Sequence, residues 1–515
     1  MNMRIYILWM VLILLGTPSA QAKRRVKADT LKYRVTFCDK KATRYSLQHP
    51  EEYLSAKALA RRERQGLAID STDLPVCDDY IQQILRLGVR QVTKGKWENF
   101  LTVSCRDTAW LAAARALPIV KEVKRVWQAL PPMSAEEVGE RMALTNHLII
   151  RPDTLYGSAT LQIMMCGGDK LHRAGFRGEG MTIAILDAGF HNADRMEAMK
   201  NTRILGGKDF VTPGALVFVC STDTPFASGR ESGSSARRGQ SGSSAMDTPY
   251  ASAETVGNGV KTFVPSEAAE SLFSAGAHGL SVLSCMGMNR PDVMVGTAPE
   301  ASYWLLRTED ESSETLVEQD YWSAAVEFAD SVGVDVVNCS LGYYTFDDTS
   351  CNYSYRHLDG RHALISRQAS HMADKGMVLV CSAGNSGAGS WKKITPPADA
   401  HHVLTVGAVK RDGELAPFSS VGTTADFRIK PDVMALGEFT EIIGADGSHT
   451  RANGTSYSTP IVCGLVACLW QSLPHLTAKQ LIEVVRQCGN RFDFPDNIYG
   501  YGIPDVSKAY QEYWK

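Results

Sequence analysis

The sequence of 515 residues lacks the short motifs that mark the commonest metal, redox and nucleotide sites. It has no CxxC pair, no HExxH and no Walker loop. It also lacks a basic bias, since Lys and Arg number 54 against 56 Asp and Glu, a formal net charge of −2. This balance excludes the cationic footprint of a typical nucleic-acid-binding protein. Twelve cysteines are too few for a small disulfide scaffold.

Apolar runs long enough to span a membrane are also missing. The longest, Ile5 to Leu15, has 11 residues, whereas a spanning helix needs about 20. Arg4 precedes the run and Ala20-Gln21-Ala22 follows it, which is the pattern of a signal peptide and its cleavage site. We predict that residues 1–22 are a signal peptide and that the chain is exported, to remain secreted, periplasmic or on the cell surface, without a stable membrane span. The alternative is an uncleaved anchor.

The composition is that of a folded protein, with 44% hydrophobic and 21% charged residues. Residues 23–130 predict a small α+β domain, in the order strand, helix, helix, strand, helix, strand. Its first helix, predicted over 50–65, has apolar residues on one side and several arginines on the other. Pro131-Pro132 ends this pattern, and 131–165 is predicted to be a linker.

Residues 166–515 alternate short apolar runs with amphipathic helices. The runs are 182–186, 302–306, 334–337, 378–380 and 403–406, with helices predicted over 318–331 and 362–375. Apolar strands alternating with helices indicate an α/β fold with a mostly parallel, doubly wound sheet, preceded here by the small α+β domain. Residues 219–270 interrupt it with a repetitive Ser- and Gly-rich stretch, which predicts a flexible insertion.

Two polar residues occupy positions where catalytic groups are common. Asp187 directly follows the predicted strand 182–186, at the edge of a parallel sheet where ligands gather, although an ordinary Asx turn also fits. His278 begins a helix of small residues. It would act as a general base if a carboxylate held its other ring nitrogen, and otherwise it is a capping or core histidine.

Two further residues lie in turns that expose backbone N–H groups. Ser456 precedes the apolar helix 461–470, where the helix N-terminus favours a developing oxyanion, although an N-cap serine is common there. Asn385 follows the predicted strand 378–380 in a glycine-rich turn. Its amide could donate to an oxyanion, or it could simply be a turn residue.

The chain order Asp, His, Ser is that of the subtilisins. The segment 454–460, Gly-Thr-Ser-Tyr-Ser-Thr-Pro, resembles the G-T-S-x-x-x-P motif of the subtilase family, and Ser382–Gly387 resembles its oxyanion-hole segment. The sequence resembles the bacterial secreted type of this family over about 166–515, apart from 219–270. The resemblance implies a serine endopeptidase with Ser456 as nucleophile, His278 as base, Asp187 as its orienting carboxylate and Asn385 in the oxyanion hole.

The sequence departs from the family pattern at two positions. Ala188 stands where the family usually has Ser or Thr, and Leu280 where it usually has Thr. These departures concern the positioning of Asp187 and His278, and they motivate an alternative, a catalytically weak subtilase-like binding protein. A serine esterase of another fold is a third hypothesis, but the chain has no G-x-S-x-G elbow and the wrong triad order.

The resemblance also implies how a polypeptide substrate binds. The edge that pairs with extended substrate is Ser340, Leu341 and Gly342, and the wall of the side-chain pocket is Ser382, Ala383 and Gly384. Small residues here predict a roomy, uncharged pocket that favours large apolar or mixed side chains.

Residues 23–130 more weakly resemble the family's N-terminal domain, which assists folding and covers the active site, so we expect intramolecular inhibition. The resemblance implies no required cofactor. Family members often bind structural calcium, for which this sequence has no signature, and we predict no metal ligands.

Overall fold

The computed structural model describes residues 29–129, 155–212, 218–219 and 267–513. The predicted signal peptide, most of the predicted linker and most of the predicted insertion lie outside these ranges. In the described part of the chain, no helix combines the length and the apolar character needed to cross a membrane.

Residues 29–129 form a four-stranded antiparallel sheet in the order β2-β3-β1-β4. The strands are β1 (Leu31–Phe37), β2 (Arg90–Gly95), β3 (Phe100–Cys105) and β4 (Val120–Gln128), and the helices are α1 (Ala56–Arg64), α2 (Asp78–Leu85) and α3 (Leu111–Ala116). Alternation along β1 places Tyr33, Val35 and Phe37 in the core of this N-terminal unit, while Arg34 points to the other face and pairs with Asp320.

Two predictions for the N-terminal unit differ from the structure. The strand expected over 96–103 is a hairpin, because 96–99 form the turn between β2 and β3. The helix expected over 50–65 is a 3₁₀ turn at Pro50–Glu52 followed by α1. Helix α1 begins after Ser55, whose hydroxyl accepts a hydrogen bond from the N–H of Ala58.

The second unit is built on an eight-stranded sheet in the order β14-β13-β12-β11-β5-β10-β6-β7, in which all neighbours are parallel except β6 and β7. The strands of the second unit, including four outside this sheet, are β5 (Thr182–Asp187), β6 (Arg203–Asp209), β7 (Phe218–Val219), β8 (Asn289–Arg290), β9 (Met294–Val295), β10 (Ser302–Arg307), β11 (Val336–Cys339), β12 (Val378–Ser382), β13 (Leu404–Val409), β14 (Val433–Leu436), β15 (Thr440–Ile443) and β16 (His449–Ala452). Strands β8–β9 and β15–β16 form separate hairpins.

Helices cover both faces of this sheet. They are α4 (Thr160–Met164), α5 (Gly168–Arg173), α6 (Glu267–Ser274), α7 (His278–Gly287), α8 (Val317–Val332), α9 (Leu364–Met372), α10 (Thr455–Ser472), α11 (Ala478–Gln487) and α12 (Val506–Tyr513). Alternate residues of β5 enter two separate cores: Ile183 and Ile185 pack with α7 and α10, and Ala184 and Leu186 with α8 and α9. The predicted α/β class with a doubly wound parallel sheet is confirmed.

Each predicted apolar run forms a strand, but β6 and β14 were not predicted from the sequence. Strand β6 reads Arg-Ile-Leu-Gly-Gly-Lys-Asp, which has no continuous apolar run, and β14 has only four residues. Helix α4 lies inside the predicted linker 131–165, and Gln162 there donates to the carbonyl of Glu441 in β15.

The two units meet across α8 through buried ion pairs. Asp330 of α8 accepts from Arg61, Arg62 and Lys96, all from the N-terminal unit. Burial alone would raise the pKa of Asp330, but these three cations hold it well below its usual range. The carboxylate is therefore ionised in the contact, and its ion-pair partners within the described ranges all belong to the other unit.

Candidate active site

Asp187 and His278 form a hydrogen-bonded pair at the carboxyl edge of the sheet. Asp187 is the last residue of β5, between β10 and β11, and His278 is the first residue of α7. The imidazole Nδ1 lies 2.9 and 3.0 Å from the two carboxylate oxygens. The Asp187 side chain is fully buried and that of His278 is 26% exposed. Because Nδ1 donates to the carboxylate, Nδ1 carries the ring proton in the neutral imidazole. Nε2 is then the nitrogen that can accept and return a proton.

Gly279 allows α7 to start against the loop that follows Asp187. A Cβ at this position would lie 2.8 Å from the ring of Phe190 and 2.9 Å from the Cβ of Asp187. The N–H of Gly279 donates to the carbonyl of Gly189 at 3.1 Å. The glycine after His278 thus fixes the distance between the imidazole and its carboxylate.

The two departures from the family pattern leave this pair in place. The backbone N–H of Ala188 donates to the Asp187 carboxylate at 2.8 Å, so the residue contributes its amide without needing a hydroxyl. Leu280 is fully buried and packs in the core of the second unit. Both substitutions are accommodated beside the pair.

Ser456 lies in the first turn of α10 and is 8% exposed. Its Oγ donates to the carbonyl of Ser340 at 3.2 Å, and the Ser340 hydroxyl donates to the carbonyl of Ser456 at 2.9 Å. This reciprocal pair ties the start of α10 to the residue that follows β11. The hydroxyl of Ser456 is therefore held at the same sheet edge as Asp187 and His278.

Asn385 is anchored to the same helix by its carbonyl oxygen. Oδ1 accepts from the N–H of Thr455 at 2.9 Å and from its hydroxyl at 2.8 Å. Because an N–H donor needs an oxygen partner, these bonds define which end of the amide faces α10. The Nδ2 group keeps its hydrogens for another acceptor, as an oxyanion-hole donor requires.

A cleft of about 1040 Å³ brings these groups together. Its lining includes His278, Ser340, Leu341, Gly342, Ser382, Gly384, Asn385 and Ser456. Asp187 lies behind His278, and Ala383 is fully buried beneath the cleft wall. The candidate catalytic and substrate-contacting residues therefore share one site, except that Ala383 does not face it.

An acidic wall, which was not predicted from the sequence, forms another part of the cleft. It consists of Glu309, Asp310, Glu311, Glu314, Glu318 and Asp347. Burial, and then the charge of Asp347, raises the pKa of Glu314 to about 7. The cleft therefore carries an acidic wall apart from the two segments predicted to form the side-chain pocket. The sequence did contain a signal for this acidic wall. The acidic run 309–314 closely follows the predicted strand 302–306, and strand ends meet at the sheet edge.

Cys339 and Cys381 lie opposite each other in the register of β11 and β12, directly below the cleft. Both are fully buried and carry free thiols, and the indole N–H of Trp322 lies 3.3 Å from Cys339 Sγ. They act as small core residues. Within the described ranges, no group of three or more His, Cys, Asp or Glu side chains could hold a metal ion.

A parallel α/β sheet with an Asp–His pair and a serine at a helix start defines a class of serine-hydrolase architecture. Residues 178–502 match the model of the Subtilase family, Peptidase S8, and residues 32–140 match that of the Peptidase S8 propeptide domain of Bacteroidota. The first match spans more than half of the chain, so the chain belongs to the subtilase family.

Individual curated relatives are similar over about half of the chain. The chain is 30% identical to Subtilisin NAT of Bacillus subtilis subsp. natto over 260 residues, 49% of this chain and 60% of that protein's length. It is 30% identical to Subtilisin DY of Bacillus licheniformis over 240 residues, covering 45% and 77%. Among solved structures, the MycP3 protease from the type VII (ESX-3) secretion system is 19% identical, with a TM-score of 0.47 and coverage of 70% of this chain and 89% of that one.

Proposed function

We propose that this protein is an exported serine endopeptidase that hydrolyses peptide bonds in polypeptides through an acyl-enzyme. The observation that carries the proposal is the arrangement of Asp187, His278 and Ser456 at one cleft, with the buried carboxylate on Nδ1 of the imidazole. Family membership supports the reaction class, and the pattern of residues 1–22 supports export.

The first chemical step transfers a proton. Ser456 Oγ rotates from the Ser340 carbonyl toward His278, whose Nε2 takes the proton as the oxygen attacks the peptide carbonyl. Asp187 stabilises the resulting imidazolium and keeps the ring oriented. The same Nε2 then protonates the leaving amine, and water hydrolyses the acyl-enzyme by the reverse sequence.

The negative charge on the attacked oxygen is stabilised by two donors. One is Nδ2 of Asn385, and the other is the backbone N–H of Ser456 near the positive end of α10. Both are preorganised, because Asn385 is tied to Thr455 and Ser456 is tied to Ser340. These donors act on the tetrahedral intermediate more strongly than on the substrate carbonyl, so they lower the barrier.

Replacing Asn385 with Asp should lower kcat by at least about 10²-fold with little change in KM, the range known for the corresponding amide of subtilisin. Asp keeps an oxygen acceptor for Thr455 but has no N–H donor, and it adds a repelling charge. Asn385→Ala removes both functions, so it should also lower the melting temperature, whereas Asn385→Asp should lower it less. Steady-state kinetics beside thermal unfolding separates these effects, and an Asn385→Asp enzyme with unchanged kcat would contradict the assignment.

We also propose that residues 23–130 inhibit the enzyme intramolecularly. The match of 32–140 to a propeptide domain supports this role. The end of β4 also approaches the cleft: Arg125 pairs with Asp348 at 2.9 Å, and a second cavity of about 230 Å³ lies between residues 125–128 and Asp347. Because Asp347 also lines the active-site cleft, the chain leaves β4 beside the acidic wall.

The folded protein should lose stability against unfolding as pH rises through the pKa of Glu327. Glu327 of α8 accepts from the backbone N–H groups of Lys96 and Trp97, and burial raises its pKa from 4.5 to about 6 although Lys96 opposes this. The folded protein therefore binds this proton more tightly than the unfolded chain, in which the carboxyl has its ordinary pKa. The stabilising contribution is complete below about pH 4.5 and is lost as pH rises through 6, a change of about 2 kcal/mol in the free energy of unfolding.

A Ser456→Ala chain allows this to be measured without catalysis. Its free energy of unfolding is measured by denaturant titration at pH 4.5 and 7.5. Glu327→Gln should remove most of the change, because its side chain does not titrate. An equal pH dependence in both proteins would show that Glu327 is not the responsive group.

Hydrolysis of casein or a peptide library by the released second unit tests the endopeptidase proposal against its alternative. Cleavage that depends on Ser456 supports the enzyme. Peptide binding without cleavage would instead support a catalytically weak subtilase-like binding protein.

A further inference from the structure

A recess opens beside Ser456 between the ends of two neighbouring strands. Residues 340–342 follow β11, and residues 382–384 lie at the end of β12. The two segments are linked where the Ser382 hydroxyl donates to the carbonyl of Leu341 at 3.4 Å. Since the Ser340 carbonyl also accepts from the nucleophile, the recess is adjacent to the atom that attacks the substrate. The side chain of the residue whose carbonyl is attacked would enter it.

Thr395 closes the floor of this recess. A Cβ at Gly342 would overlap its Oγ1, and one at Gly384 would lie 3.0 Å from Oγ1 and 3.4 Å from Cγ2. The threonine side chain therefore occupies the space that the two glycines leave between the walls. Its backbone N–H donates to the carbonyl of Ala383 at 3.2 Å, which fixes it at this depth.

The side chain of Thr395 acts on the recess through its bulk. The residue lines the cleft but is only 3% exposed, and its Oγ1 is shielded from solvent between the two glycines. A substrate side chain that enters the recess therefore meets a filled floor, which leaves room for a small side chain such as that of Ala or Ser.

We propose that Thr395 determines the primary specificity of the enzyme, so that the residue before the scissile bond is Ser or Ala and not a large apolar residue. This inference rests on the proposed endopeptidase function. The recess is shallower than the roomy pocket expected from the glycines and small residues of the two walls, because the side chain of Thr395 occupies the space that they leave.

Four fluorogenic peptides that differ only in this residue, Ser, Ala, Leu or Phe, test the inference on the full chain after release of its N-terminal unit. The wild type should give kcat/KM values for Ala and Ser at least about tenfold above that for Phe, the scale at which pocket size discriminates. Thr395→Gly should reduce the Ala-to-Phe ratio at least about tenfold. Thr395→Val keeps the bulk of the side chain, so it should leave the Ala-to-Phe ratio high.

Thr202→Gly is the matched control, because Thr202 is similarly buried at 4% but binds the Gly287 carbonyl and does not line the cleft. It should leave the Ala-to-Phe ratio unchanged. Titration with a fluorophosphonate counts active enzyme in each preparation and identifies variants that fail to fold. If wild-type enzyme that reacts with the fluorophosphonate cleaved the Phe and Ala peptides with equal kcat/KM, the inference would be overturned while the proposed function would stand. Absence of both labelling and cleavage would overturn the proposed function and the inference with it.

Discussion

Ser456→Ala should abolish the hydrolysis of every peptide while leaving the fold intact. The change removes the attacking oxygen, and the expected loss in kcat is about a millionfold, the size known for the nucleophile of subtilisin. Stability should fall by only about 1 kcal/mol, because Oγ of Ser456 donates one hydrogen bond, to the Ser340 carbonyl, within the described ranges. Peptide kinetics and thermal unfolding of the two proteins measure both effects.

Ser458→Ala provides the matched control for this substitution. Ser458 lies two residues further along α10, is fully buried and does not line the cleft. Its replacement should leave hydrolysis within a few fold of the wild type. Retention of more than about 1% of activity in Ser456→Ala, after exclusion of contaminating proteases, would contradict the assignment of Ser456.

The second large effect is expected at the contact between the two units. Asp330 accepts from Arg62 at 2.8 and 2.9 Å and lies 3.3 Å from the ammonium of Lys96, and Arg61 also pairs with it. Asp330→Ala leaves these cations buried without their common partner. Breaking a buried pair costs about 3–5 kcal/mol. In a Ser456→Ala chain cut at a specific protease site introduced within 131–154, the dissociation constant of the two pieces should therefore rise by roughly 10²- to 10³-fold or more.

Asp348→Ala is the control for this prediction. Asp348 pairs with Arg125 across the same contact, but both side chains are nearly half exposed. Exposed pairs contribute about 1 kcal/mol or less, so the effect should stay within about tenfold. Peptide hydrolysis by the uncut chain should rise in Asp330→Ala if the N-terminal unit inhibits. If Asp330→Ala and Asp348→Ala weakened the contact equally, the buried cluster would not be its main anchor.

The sequence singled out Asp187, His278, Ser456 and Asn385 as candidates from their places next to apolar strands and helix starts. In the structure Asp187 ends β5, Asn385 lies three residues beyond β12, and His278 and Ser456 lie in the first turns of α7 and α10. A parallel sheet brings its strand ends to one edge. Local patterns and chain order therefore contained most of the information about the candidate site. The predicted doubly wound sheet follows from the same apolar runs.

Other features depend on contacts between distant segments and had no local signal. Thr395 reaches the cleft only because its loop packs between Gly342 and Gly384. Arg61 and Arg62 belong to the arginine-rich side of α1, a pattern that does not show whether another unit covers it. Both are buried against Asp330, which lies about 270 residues later in the chain, so no local pattern could reveal the contact.

Covalent labelling of Ser456 with a fluorophosphonate, read by intact mass after release of the N-terminal unit, tests the central claim most directly. The proposed site predicts one adduct on the wild type and none on Ser456→Ala, because only a serine activated by His278 reacts efficiently. Folded wild-type protein that acquires no adduct after release would contradict an active triad and favour the binding-protein alternative.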